Sequence, residues 1–279
     1  MSRKILSLLG VFLLVAAAAV VLAQEASTPQ APAIPAASRV DIDCSGFIAG
    51  SKLPADVYVL DGEDDVFRQS LKQFSTGDRV YLRYGGGKNV AEGTEFALVR
   101  PGRQIFETAI WYNGEGGSLR SLGTPYEDVG RVKITRVTPV GAVAEVTFAC
   151  GPVYRGDLAV PFKPRPIPEY TPTQDFDRFA PPNGKKLGAI TAARDNVGIL
   201  GTGSIAYVNL GETDGVRPGQ KFRIFRLMRD RIEGLHAIPA MPRESIGELV
   251  ILSTQQKSSV GLVVNGLREI FLGDGIELE

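Results

Sequence analysis

The sequence predicts an all-β protein built from two small β-barrels in tandem. Three observations support this prediction: the two halves of the chain repeat each other, glycine (32) and proline (18) are frequent, and apolar residues recur in short runs rich in branched and aromatic side chains. A proline-rich stretch separates the halves. With 279 residues, 44% of them apolar, the chain is long enough to fill two cores.

The repeat becomes visible when residues 77–100 are set over 203–226, and 130–157 over 247–274, without a gap. Seven positions are identical in the first pair and six in the second, or 13 of 52. We expect about five strands per copy, closed into a barrel because closure removes exposed edges. The repeated turn positions are Gly85, Gly93, Gly130, Gly156 and Asp157 in the first copy, and Gly211, Gly219, Gly247, Gly273 and Asp274 in the second.

Local signals assign several of these turns. Gly85 and Gly211 follow predicted strands, where a turn with positive φ would favour glycine. Pro218 followed by Gly219 is the signature of a type II turn. The repeated Asp157 and Asp274 are expected to cap their own turns. A pair of catalytic aspartates is the alternative, but the D-[TS]-G pattern of aspartic proteases is absent.

The copies differ in their insertions. In the first copy, Phe67, Leu71 and Phe74 have helical spacing and predict a short helix packed on the barrel. A longer excursion after Arg100 predicts a strand that ends in Trp111 and Tyr112 beside a glycine-rich tip. Aromatic residues at a loop tip can bind a sugar or a protein partner. The alternative is that Trp111 folds back onto its barrel.

The N-terminus has the features of a secretory signal: Arg3 and Lys4, then an apolar run to Ala23, with cleavage expected before Gln24. An uncleaved membrane anchor is the alternative. Residues 24–40 lack apolar content and predict a disordered tether. The proline-rich stretch at 163–184 predicts an extended linker. The barrels are therefore expected at 41–162 and 185–279, with no membrane span after cleavage.

Two cysteines remain in the chain. In an oxidising compartment an even count fits one disulfide, Cys44–Cys150, and two separate buried thiols are the alternative. Cys44 precedes a predicted opening strand at 46–48, and Cys150 follows a strand at 142–148. Since the second copy has no cysteine, we expect reduction to destabilise only the first barrel.

Both copies carry a strand ending Y-x-x-x-G, then V-x-x-G, an aromatic strand, a G-x-[VL]-x-[IV] strand and a closing G-D. This pattern resembles the C-terminal domain of flagellar assembly protein T and related uncharacterised exported bacterial proteins. The resemblance implies SH3-like barrels in the periplasm. Its carriers are Tyr81, Gly85, Val90, Gly93, Phe96, Gly130, Gly156 and Asp157, and in the second copy Tyr207, Gly211, Val216, Gly219, Phe222, Gly247, Gly273 and Asp274.

Known catalytic patterns do not fit this sequence. The single histidine, His236, lies in a proline-rich loop and no G-x-S-x-G elbow is present. One histidine and two distant cysteines cannot build a structural zinc site. The run from Gly85 to Lys88 lacks phosphate-loop spacing, and the acidic residues 61–65 lack the EF-hand pattern for calcium. We therefore predict no cofactor and no catalytic residues.

Charge excludes another class of partner. Acids and bases number 31 each, so a mature chain without Arg3 and Lys4 has a net charge of −2 and no electrostatic footprint for nucleic acid. The sequence thus predicts a non-enzymatic envelope protein, periplasmic or extracellular, that acts as a structural or protein-interaction module. A cell-wall glycan bound through Trp111 and Tyr112 is the alternative ligand.

Overall fold

The computed structural model describes residues 31–63, 73–85, 90–102, 121–226 and 243–279. An N-terminal arm contains β1 (Ile34–Pro35), α1 (Arg39–Asp43) and β2 (Phe47–Ala49). The first barrel region contains β3 (Val57–Gly62), β4 (Gln73–Phe74), β5 (Arg79–Tyr84), β6 (Glu95–Pro101), β7 (Thr124–Thr138), β8 (Gly141–Ala149), β9 (Val153–Tyr154) and β10 (Leu158–Pro161).

The linker carries β11 (Glu169–Tyr170). The second barrel region contains β12 (Leu187–Ala193), β13 (Ile199–Leu200), β14 (Ile205–Val208), β15 (Lys221–Arg226), β16 (Glu244–Thr254), β17 (Ser259–Gly266), β18 (Ile270–Phe271) and β19 (Gly275–Leu278). Short 3-10 turns lie at Arg194–Asn196 and Glu212–Asp214. Among the helices of these described ranges, none is long and apolar enough to cross a membrane.

Two closed six-stranded barrels confirm the predicted fold class. The strand order is β3-β5-β8-β7-β6-β10 in the first barrel and β12-β14-β17-β16-β15-β19 in the second. Each position of one order therefore has its counterpart in the other. A two-stranded ribbon accompanies each barrel: β4 pairs with β9, and β13 with β18. The barrels have six strands rather than about five, because each copy opens with a strand, β3 or β12, that precedes the matched segments.

The β-bulges of the two barrels lie at equivalent positions of the repeat. The pairing of β3 with β5 shifts register between Val59 and Asp61, and that of β12 with β14 shifts between Ile190 and Ala192, their counterparts. The pairing of β7 with β8 has two shifts, and so has that of β16 with β17, at matching positions. Because a bulge aims the following side chains at the opposite face, shared bulges keep the same positions in both cores.

The two cores compensate for local changes in volume. Val132 in the first barrel corresponds to Leu249 in the second, and both are fully buried. The neighbouring Ala144 corresponds to Gly261, where an added Cβ would lie 2.4 Å from a Leu249 methyl carbon. A larger side chain on one strand is therefore matched by a smaller one across the pair, which conserves core volume.

The predicted tether at 24–40 is wrong for its described part, residues 31–40. β1 pairs with β11, the Ala36 N–H donates to the Pro168 carbonyl at 2.8 Å, and α1 begins at a capping box formed by Ser38 and Asp41. Ile42 of α1 is 1% exposed. This arm is ordered because Ala36, Ile42 and Ile48 pack against the second barrel.

The outer face of the second barrel receives the arm. An apolar cluster joins the arm and the linker to the barrel. Ala36, Ile42 and Ile48 of the arm, with Ile167 and Tyr170 of the linker, pack with Ile205, Tyr207, Val250, Leu252, Val260 and Leu262. β16 is consequently buried on both faces from Glu244 to Leu252. The linker adds polar contacts to the same strand, since the Ser245 N–H donates to the Arg178 carbonyl at 2.7 Å. The predicted extended linker is thus a strap fastened to the barrel.

Two further strand and helix predictions need correction. The predicted opening strand at 46–48 is β2, which pairs with the start of β7 and lies outside the barrel order. Phe74, predicted on a helix, lies on β4, while Phe67 and Leu71 lie outside the described residues. The helix that is described, α1, precedes the first barrel.

Candidate functional site

A cleft of about 560 Å³ lies where the two barrels meet. The first barrel contributes the end of β6 and the start of β7, the arm contributes α1 and the residues after it, and the second barrel contributes its 3-10 turn at 194–196. Its lining residues include Val40, Glu127, Asp128, Arg194, Asp195 and Asn196. Because both barrels and the arm form its walls, their docking determines the shape of the cleft.

A disulfide between Cys44 and Cys150 forms part of the wall, with Cα atoms 5.6 Å apart, and confirms the predicted bridge. β2 pairs with β7, and β7 pairs with β8, so the residues that flank these strands meet. The bridge closes the gap between the arm and the end of β8. Cys150 also lines a second cleft of about 600 Å³, together with the rest of residues 149–152 and residues 73–76 and 78.

Asp128, which lines the cleft, joins three parts of the molecule. Its carboxylate accepts the Gly46 N–H at 2.8 Å and an Arg165 guanidinium N–H at 2.7 Å. Burial raises the pKa of Asp128 above its ordinary value, although the Arg165 charge and hydrogen bond oppose the shift. Arg165 also donates to the Asp43 carbonyl at 3.0 Å. The linker, the arm and β7 are therefore tied together at one carboxylate.

Asp43 forms ion pairs with two further arginines at this junction. Its carboxylate pairs with Arg39 within α1 and with Arg131 of β7, at 3.3 Å for the latter. Arg131 also stacks over the ring of Phe162 at 3.7 Å from its centroid. Buried carboxylates are stable only when paired and hydrogen-bonded, and both Asp43 and Asp128 satisfy that condition.

Tyr207 attaches the second barrel to the arm. Its hydroxyl donates to the Ser45 carbonyl at 2.8 Å, and its side chain is buried. Burial, together with the negative charge of Asp128, raises the pKa of Tyr207 well above its ordinary value. The hydroxyl therefore remains protonated and available as a donor.

The 3-10 turn that forms the lip of the cleft has an unusual backbone. Asp195 has φ of 60° and the next residue, Asn196, has φ of 54°. Asp and Asn tolerate the left-handed region better than other side chains, yet two in succession carry strain that surrounding structure must hold. Asp195 is 77% exposed and pairs with Arg194 at 3.4 Å. The turn thus presents an acid, a guanidinium and an amide to the cleft.

The repeated aspartates cap their own turns, as predicted. Asp157 accepts the Tyr154 N–H at 2.7 Å, and Asp274 accepts the Phe271 N–H at 2.7 Å. Each carboxylate is also held by two guanidinium hydrogen bonds, from Arg100 and Arg226 respectively. Both copies therefore share an arginine–aspartate fork, which links β6 to the turn before β10 in the first barrel and β15 to the turn before β19 in the second.

Six of the eight predicted turn glycines are required by the backbone in one of two ways. Gly93, Gly156, Gly219 and Gly273 have positive φ, between 82° and 93°. Gly130 and Gly247 are required for space instead, since an added Cβ would lie 2.4 and 2.5 Å from the carbonyl oxygens of Phe148 and Asn265.

The prediction of positive φ is wrong for Gly85 and Gly211. Gly85 is not among the positive-φ glycines, and Gly211 is extended, with φ of −137°. Gly211 is needed because a Cβ would meet the Gln255 carbonyl oxygen at 2.4 Å.

Several candidates lie outside the described residues: Trp111, Tyr112, His236 and the run 86–88 that follows Gly85. Of the acidic residues 61–65, Asp61 forms an ion pair with Arg155, and Glu63 pairs with Arg79 at 3.4 Å. Within the described ranges, no three His, Cys, Asp or Glu side chains are grouped closely enough to hold a metal ion. No protein-family model matches the chain, and no curated protein matches it.

Proposed function

We propose that this chain is an exported, non-catalytic protein of the bacterial cell envelope that binds a protein partner in the cleft between its barrels. The observation that carries the proposal is the way the cleft is built. Its walls come from both barrels, and the Cys44–Cys150 disulfide, Asp128 and Tyr207 fasten those walls together. A site held in this way is formed before the partner arrives, which lowers the entropic cost of binding.

Export is supported by chemistry at two places. A disulfide persists in oxidising compartments and is rare in the reducing cytosol. The first 23 residues combine two basic residues with a long apolar run. The resemblance to the C-terminal domain of flagellar assembly protein T points to the same compartment. N-terminal sequencing of the protein from the producing bacterium is expected to begin at Gln24, and an intact Met1 in the membrane fraction would support an anchor instead.

Binding at the cleft is tested by site-specific cross-linking in intact cells. The photoreactive amino acid p-benzoylphenylalanine replaces Glu127, an exposed strand residue that lines the cleft. The control replaces Val140, an 81% exposed residue in the turn after β7. β7 runs nine residues from Val129 of the cleft to its end at Thr138, roughly 30 Å along the strand, and Val140 lies beyond that end. We expect one polypeptide adduct at position 127 that is missing at position 140.

Two other results would count against the proposal. Equal labelling at both positions would indicate unspecific contact rather than a site. An adduct that muramidase digests, or sedimentation of the purified protein with peptidoglycan, would favour the cell-wall glycan as ligand.

A further inference from the structure

The cleft between the barrels and the second cleft share one wall. Residues 149–152 line both the first cleft of about 560 Å³ and the second cleft of about 600 Å³, which is formed with residues 73–76 and 78. Each volume lies in the range that holds a small ligand or a few residues of a peptide. A chain that crosses the shared wall would occupy both.

Hydrogen bonds and the disulfide anchor the shared wall at both ends. The Cys150 N–H donates to the Val129 carbonyl at 2.8 Å, the disulfide fixes the Cys150 side chain, and Arg100 donates to the Pro152 carbonyl at 2.9 Å. Between these anchors Gly151 is exposed, and a Cβ placed there would meet no atom within 4 Å. Because Gly151 has no side chain, a segment that crosses the wall at this residue would meet only its backbone.

Polar groups of both kinds line the first cleft. Arg194 and Asn196 offer donors, while Asp195 and Glu127, 77% and 50% exposed, offer acceptors. A polypeptide backbone presents one donor and one acceptor per residue, so it matches such a wall. Val40, 56% exposed on α1, adds an apolar surface for an aliphatic side chain.

Sugar recognition fits these clefts less well. Sugars stack on exposed aromatic faces. Among the described lining residues, Phe74, Tyr126 and Tyr207 are buried and Phe148 is half-buried.

We propose that the two clefts form one groove for an extended polypeptide segment, which crosses Gly151 and places an aliphatic side chain against Val40. This rests on the proposed function and specifies its partner: a single unfolded stretch of chain rather than a folded surface. An extended segment advances about 3.3 Å per residue, so a few residues suffice to cross the wall.

The test blocks the crossing without disturbing the fold. Gly151→Trp places an indole on the shared wall, and the open space around Gly151 predicts an unchanged melting temperature. Gly85→Trp is the matched control, because Gly85 also has open space at its Cβ and lines neither cleft. A random 12-residue peptide library is selected on the exported protein, and selected peptides are measured on both variants by fluorescence anisotropy.

We expect selected peptides to lose at least tenfold in affinity on Gly151→Trp and to bind Gly85→Trp unchanged. A Thr76→Arg variant in the second cleft is expected to weaken the same peptides. Peptides that respond to Arg194→Glu but not to Gly151→Trp or Thr76→Arg would overturn the groove while leaving the proposed function intact. Binding of peptidoglycan oligosaccharides with no peptide selected would overturn both.

Discussion

The hydroxyl of Tyr207 in the second barrel donates a 2.8 Å hydrogen bond to the carbonyl of Ser45 in the arm. Tyr81 occupies the equivalent position of the first barrel and is 39% exposed, against 5% for Tyr207. The same residue of the repeat is therefore a surface side chain in one copy and the centre of an interface in the other. The difference arises because the arm covers this face of the second barrel.

Replacing Tyr207 with phenylalanine is expected to destabilise the protein by about 1–3 kcal/mol, because the buried Ser45 carbonyl loses its partner. The measurement is the urea unfolding midpoint. Tyr81→Phe is the matched control in the other copy, and its exposure predicts a change within about 0.5 kcal/mol. Equal effects of the two substitutions would show that the hydrogen bond to Ser45 does not stabilise the interface.

Gly46 of the arm lies where the structure leaves no space for a side chain. It has φ of +67°, and an added Cβ would lie 2.5 Å from the Tyr207 hydroxyl oxygen and 2.7 Å from the Tyr126 carbonyl oxygen. Gly46→Ala combines the cost of a left-handed backbone, about 1–2 kcal/mol, with these clashes. We therefore expect a loss of at least about 2 kcal/mol in the free energy of unfolding.

Gly151→Ala provides the comparison for Gly46→Ala. No atom lies within 4 Å of the added Cβ, and φ at Gly151 is not positive. Its unfolding free energy should stay within about 0.5 kcal/mol of the parent protein. A similar loss in both variants would mean that the arm does not hold Gly46 against Tyr207.

Local sequence patterns predict much of the fold. Turn glycines with positive φ, such as Gly93 and Gly219, and the Asp157 and Asp274 caps depend on a few neighbouring residues, so sequence reveals them. The Cys44–Cys150 pairing followed from export and an even count, and the structure confirms it. The strap and the cleft depend instead on how two distant parts of the chain dock, which no local pattern records.

A signal for the covered face was nevertheless present in the repeat. Arg79, Lys133 and Glu145 lie at outward positions of the first barrel, and their counterparts in the second are Ile205, Val250 and Leu262. Polar alternation becomes a continuous apolar run, which indicates a sheet buried on both faces. The arm also carried a signal, because Ser38-x-x-Asp41 is a capping-box spacing.

The repeated arginine–aspartate forks predict equal effects in the two copies. Arg100→Lys and Arg226→Lys each replace a two-pronged guanidinium contact on a buried carboxylate with a single ammonium. We expect each to lower the unfolding free energy by about 1–2 kcal/mol, since hydrogen bonds to charged groups are among the stronger ones.

Arg79→Lys is the control for the two forks. Arg79 forms an exposed ion pair with Glu63 at 3.4 Å, and exposed pairs contribute little. Its substitution should change stability by less than about 0.5 kcal/mol. If Arg100→Lys or Arg226→Lys changed the unfolding free energy as little as Arg79→Lys, the fork would not stabilise both copies.

Acid should weaken the second barrel through Glu277. This fully buried carboxylate pairs with Arg243; burial opposes its ionisation, but the Arg243 hydrogen bond and charge lower its pKa below the ordinary 4.5. A carboxyl with a lowered folded pKa stabilises the fold above about 4.5 and loses that contribution as pH falls through the folded value. Stability should therefore decline below about pH 4.5.

Glu277→Gln tests this pH dependence. The variant leaves Arg243 buried without its counter-charge, so we expect it to be about 3–5 kcal/mol less stable at pH 7. Its stability should fall less steeply than that of the parent protein below pH 4.5, as followed by urea unfolding at a series of pH values. Asp195→Asn, at a residue that is 77% exposed, should keep the parent profile. An unaltered slope in Glu277→Gln would assign the acid response to other carboxyls.

Removal of the disulfide should affect both barrels, contrary to the expectation from sequence alone. The bridge closes a sequence separation of 106 residues, for which the chain-entropy model gives roughly 4–5 kcal/mol and measured values are often about 2–4. It also holds the end of α1, whose Ile42 packs in the cluster that covers the second barrel.

In the Cys44→Ser/Cys150→Ser variant, hydrogen exchange should accelerate in the arm at 34–49 and in β16 of the second barrel. β19, on the side of that barrel away from the cluster, serves as the internal control and should exchange at the parent rate under native conditions. Faster exchange confined to the first barrel would show that the bridge stabilises only its own barrel and that the arm stays docked without it.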